Sequence, residues 1–209
     1  MIYLIIEIFV ILAIASNFFT LILALMLRNR LKNSFRPIYI FVLVNSALVL
    51  LEILFNFIYQ NTNPIHHFST FIISFIILYY FFFLNVHRRL VRFFFIMSCL
   101  IFIYETFYLM RIMETNFLMS ISSNIIISII SFLHLFELHK NDCSDFKFKY
   151  HIAVSFFVFN TSCFFVSLFE SQIREEMNYI LAIVYPIYSG LIIFQNIMLS
   201  RGIWTLKKI

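Results

Sequence analysis

The stretch "IYLIIEIFVILAIASNFFTLILALMLRNRLK", Ile2–Lys32, stays almost wholly apolar until Arg28, Arg30 and Lys32 close it. A helix rising about 1.5 Å per residue crosses a hydrocarbon core of about 30 Å in about 20 residues, so residues 2–27 predict a membrane-spanning helix with a basic stop. Inside it Ala13, Asn17, Thr20 and Ala24 fall at offsets 0, 4, 7 and 11, which places them on one helical face. An apolar rod with one narrow seam of small and polar groups is the pattern of a helix that packs on others inside a bilayer. No basic region precedes the apolar run, so the segment is expected to remain as a helix rather than be cleaved as a signal peptide.

Read outward from there, the same ruler finds seven spans, at 2–27, 37–59, 68–86, 93–111, 117–136, 151–170 and 178–200. The longest connection, Glu137 to Tyr150, is too short for a soluble domain. The expected fold is therefore all-α: a polytopic membrane protein forming a single seven-helix transmembrane domain over residues 1–209. With 63% hydrophobic and 12% charged residues, the 209-residue chain lies far from soluble composition. Of its 15 Lys and Arg, all but Arg111 and Arg174 follow the first, third, fifth or last span. The positive-inside rule then places the N-terminus outside and the C-terminus in the cytoplasm, with Trp204 at the interface before Lys207 and Lys208. A formal charge of +5 belongs to those loops, and nucleic acid is not an expected partner.

Polar periodicity marks the inward faces of the other spans. The second carries Asn45, Glu52 and Asn56, the fourth Ser98 and Glu105, and the fifth Ser120, Asn124, Ser128 and Ser131. The sixth carries Asn160, Cys163, Ser167, Glu170 and Ser171, and the seventh Tyr185, Ser189, Asn196 and Ser200. Only the third has a weak stripe, through Ser74 and Asn85, so it is expected to be the most lipid-exposed. Pro186 removes a backbone donor from the last span and is the candidate hinge. The sole glycines, Gly190 and Gly202, leave no GxxxG seam.

Acids are the informative group, because a charge near the centre of a span costs about 2.5–3.5 kcal/mol. Glu7 and Glu170 lie close enough to a helix end to be interfacial, whereas Glu52 and Glu105 have apolar helix on both sides. Two readings stand for the latter pair. Either they join a buried hydrogen-bonded cluster that fixes helix register, or they line an outward cavity for a cation, proton or polar ligand. The cavity candidates are Glu52, Asn56, Asn45, Glu105, Asn160, Glu170 and Tyr185. The histidines show no metal-ligand spacing: His134 and His139, five apart, point to different faces, so neither metal nor cofactor is expected. Cys99, Cys143 and Cys163 are expected as free thiols. GxSxG, P-loop and CxxC signatures are absent, so no enzyme activity is expected. The loop from Glu137 to Tyr150, with Lys140, Lys147 and Lys149, is the candidate contact for a cytoplasmic signalling partner, beside the lipid bilayer itself.

The Asn45 and Glu52 pair, "IYETFY", "FNTSCFF" and "YPIYSGLIIFQNIMLSRGIW" together resemble small, uncharacterised seven-span proteins of the Bacteroidota type. That resemblance covers the whole chain and implies a bacterial inner-membrane location. Seven helices with an outside N-terminus are also similar to rhodopsins and G-protein-coupled receptors, although no lysine for a retinal lies inside the seventh span. The polar doublets Asn45-Ser46 and Asn160-Thr161, each followed by Glu52 or Glu170, resemble the three-plus-one-plus-three plan of SWEET-type transporters, without their PQ dipeptide. The leading expectation is a receptor-like sensor with an outward polar cavity. The alternatives are a small proton- or cation-coupled transporter or channel subunit, and a scaffold or effector without ligand.

Overall fold

A computed structural model describes residues 2–59, 63–108, 117–140, 145–173 and 177–208, and these are helical throughout apart from short turns. The helices are α1 (Ile2–Met26), α2 (Arg28–Ser34), α3 (Arg36–Tyr59), α4 (Asn63–Phe83), α5 (Arg88–Ile103), α6 (Phe117–Lys140), α7 (Phe146–Ile173) and α8 (Met177–Thr205). A π-helical turn, Tyr104–Tyr108, extends α5, and a 3-10 turn, Leu206–Lys208, ends α8. Six helices contain a segment long and apolar enough to cross a membrane; the apolar part of α4, Phe68–Phe83, is shorter. Packing groups the chain into two compact units, one of Met1–Arg28 and Ser131–Ile209, the other of Asn29–Ile130.

In the first unit α8 packs against both α1 and α7. The seam anticipated on α1 is the one that is buried: Ala13, Asn17, Thr20 and Ala24 are all inside. Asn160, Cys163 and Ser167 of α7 and Ser189, Asn196 and Ser200 of α8 are buried as well. Gly202 marks a close approach between α8 and α7, since a Cβ there would lie 3.1 Å from Ile152 Cδ1 and 3.3 Å from His151 Cβ. Gly190 has open space around it. This grouping differs from the three-plus-one-plus-three plan, because the first span belongs with the last two rather than with its neighbours in sequence.

In the second unit α4 packs on α3 and on α5. The expectation that this span would be the most lipid-exposed is overturned: Tyr80 and Phe81 are 0% exposed, and Ser74, Ile77 and Leu78 are buried with them. Rings join it to α5, Phe71 stacking on Phe102 at 4.2 Å and Phe75 lying 3.7 Å from Phe95. Lipid tails and a protein interior are equally apolar, so hydropathy cannot tell which face of a phenylalanine-rich helix packs. The helix ends on a Schellman motif, in which Val86 N–H donates to Phe81 O and Asn85 N–H to Phe82 O, both at 3.1 Å. Asn85 takes the left-handed conformation this motif needs, with φ 63°.

Candidate functional site

Glu105 is the most constrained acid among the described residues. It sits in the π-helical turn at the end of α5 and is 0% exposed. Its Oε1 accepts the backbone N–H of Leu118 at 3.2 Å and its Oε2 that of Met119 at 2.9 Å. Those amides belong to the first turn of α6, where N–H groups have no intrahelical acceptor and the helix dipole is positive. The acid therefore works as a cap supplied from the preceding helix. A π turn is short and wider than α, and such turns recur where a helix must re-aim a side chain. Both carboxylate oxygens of Glu105 are thus engaged by backbone amides of α6.

Glu52 differs in its surroundings. It is half-buried on α3, and Ser69 of α4 donates to its Oε1 over a long 3.4 Å. Ser69 was not singled out in the sequence because it lies off the stripe through Ser74. Asn45 is also half-buried, and the adjacent Ser46 is fully so. The side chains of Asn56 and Glu170 lie outside the described residues, as does Cys143. Glu7 is exposed on α1.

Asn160, Tyr185 and Pro186 belong to the other unit. Asn160 is buried and turns its Nδ2 onto its own helix, donating to Phe156 O at 2.7 Å. Tyr185 departs from the expected seam: it is 51% exposed, while Ser189 one turn later is buried. The hydroxyl that does reach across to α7 belongs to Tyr188, 3.1 Å from Ser167 Oγ. Pro186 lies inside α8, which continues on both sides of it.

A polar cluster joins α1 to α8. Thr20 Oγ1 lies 2.9 Å from Ser200 Oγ and donates to Asn196 O at 3.2 Å, while Asn196 Nδ2 donates to Ser16 Oγ at 3.0 Å. On the opposite side of α8, Ser155 donates to Gln195 O at 3.3 Å. Helix pairs in a membrane gain little from hydrophobicity, and such contacts supply about 0.6 kcal/mol each together with fixed register. Cys99 and Cys163 are free thiols. Among the described residues no three metal-ligating side chains converge.

A groove of about 400 Å³ runs between the end of α5 and the start of α6, lined by Leu100, Ile101, Leu118, Ile121 and Ile125, with Tyr104 carrying a phenolic hydroxyl and Ser122 an aliphatic one. The Ser122 hydroxyl is satisfied by Leu118 O at 2.7 Å, so the groove presents a mainly apolar wall. No family model, curated protein or solved structure matches the chain. Function is thus argued from the geometry alone.

Proposed function

We propose that the protein is a seven-span, receptor-like membrane sensor with its N-terminus outside and its C-terminus in the cytoplasm. The observation that carries this reading is the pairing of the first long helix with the last, through Ser16, Thr20, Asn196 and Ser200. A chain whose ends close on each other suits a receptor-like bundle better than two tandem transport repeats. At 21 residues, α4 is about 31 Å long, enough for the seventh span. The bacterial inner membrane suits the resemblance drawn from the sequence.

In this account Glu105 is a structural latch and Glu52, half-buried on α3 and bonded to Ser69 of α4, is the input group. Output passes along α8 and its basic end to a separate cytoplasmic partner, for which the Glu137 to Tyr150 loop is the contact. The test uses cysteine-free protein in liposomes carrying a fluorophore on Leu206→Cys. A step in external pH or sodium should change the fluorescence without ion flux, and Glu52→Gln should abolish the response. Proton or sodium flux that Glu52→Gln removes would replace the sensor with the transporter.

A further inference from the structure

The α4–α5 turn carries a cationic feature that the sensor reading does not use. Between Glu52 and Glu105 the sequence holds no acid, and its only Lys or Arg residues are Arg88, Arg89 and Arg92. All three are exposed. Arg88 and Arg92, one helical turn apart, both lie over the Phe82 ring, their guanidinium carbons 5.2 and 5.6 Å from its centroid. Among the described residues none of the three meets a carboxylate. Two guanidinium forks are thereby gathered on one ring, and among the described residues no ion pair to an acid accompanies them. A phosphate diester suits this arrangement, since guanidinium forks match its oxygens and its charge offsets theirs.

The helix below these arginines is shaped for the rest of a lipid. Arg89, Arg92, Phe93, Ile96 and Leu100 fall at offsets 0, 3, 4, 7 and 11, one face of α5 that is cationic at its start and apolar thereafter. Phe93, Ile96 and Leu100 are each more than half exposed. From Arg89 to Leu100 is about 16 Å along the axis, close to the depth of about 15 Å of one hydrocarbon leaflet. Leu100 also lines the apolar groove between α5 and α6. We infer that this face binds an anionic phospholipid, its phosphate on Arg88, Arg89 and Arg92 and one acyl chain along Phe93 and Ile96 into the groove beside Leu100. A free phosphate would use the arginines but leave the groove without a role. The inference does not depend on the sensor reading.

The test places full-length protein in phosphatidylcholine nanodiscs containing a minor share of phosphatidylglycerol with a nitroxide on its acyl chain. Electron paramagnetic resonance then reads the motionally restricted fraction, with spin-labelled phosphatidylcholine as reference. Wild-type protein should retain phosphatidylglycerol selectively, and each arginine removed should weaken that preference about fivefold. Arg88→Gln combined with Arg92→Gln should therefore nearly erase it, whereas Arg201→Gln should leave it unchanged. Ile121→Trp, which fills the groove, should free the chain label. If the double glutamine variant does not fold, Arg88→Lys with Arg92→Lys keeps the charge and loses the forks, and it should lower the preference by a smaller factor. Equal retention of the two lipids by wild type, or an unchanged preference in the double arginine variant, would overturn the site. Full restriction of the label in Ile121→Trp would do the same, because the turn would then attract lipid only diffusely.

Discussion

Glu105 binds two backbone amides where α6 begins, which gives a buried acid two hydrogen-bond partners within the chain. Both oxygens accept, so an amide in its place satisfies one donor and opposes the other with its own N–H groups. Glu105→Ala should destabilise the protein by about 3 kcal/mol in denaturant titrations from mixed micelles, because two buried donors are orphaned. Glu105→Gln should cost about half as much. Equal stability of all three proteins would show that the amides find other acceptors. The seven-residue spacing of Ser98 and Glu105 showed that this acid turns inward, and both are buried. Its partners were not legible, since backbone donors carry no letter and the π turn that aims the side chain has no sequence signature. Tyr185 shows the converse, a residue in register with the seam of α8 that is nonetheless exposed, while Tyr188 makes the bond to α7.

Helix α8 takes different partners on its two sides, and each side makes its own prediction. On the α1 side, a double-mutant cycle of Thr20→Val and Asn196→Leu should give a coupling of about 0.6 kcal/mol, the usual size for hydrogen-bonded helix pairs in membranes. Strict additivity would mean that the seam fixes register without energetic linkage. Gly202 meets α7 whereas Gly190 meets nothing within 4 Å, so substitutions at the two glycines of α8 should diverge. Gly190→Ala meets no neighbour and should raise stability by about 1 kcal/mol through helix propensity, whereas at Gly202 that gain is offset by contact with Ile152 and His151. Gly202→Leu should destabilise the protein by about 1–3 kcal/mol through overpacking, read as a lowered melting temperature. The extent of α1 and its seam could be read from hydropathy and a 3.6-residue period, whereas α4, α5 and α7 each begin five residues before the apolar run that hydropathy detects. The burial of α4 could not be read, because its inner face is built from the same phenylalanine and leucine that a lipid-facing surface uses.

At the largest scale, six helices among the described residues carry spans of full length and the apolar part of α4 is shorter, so the proposed topology turns on that one helix. If α4 crosses, every basic cluster from Arg28 to Lys208 falls on one side, and only Arg111 and Arg174 fall on the other. If it does not, the clusters before and after it separate across the membrane. Right-side-out vesicles containing single-cysteine variants Asn63→Cys and Asn85→Cys, at the two ends of α4, distinguish these outcomes with an impermeant maleimide. The seven-span account predicts rapid outside labelling at position 63 and protection at position 85 until the vesicles are opened. Labelling of both positions from the same side would contradict it.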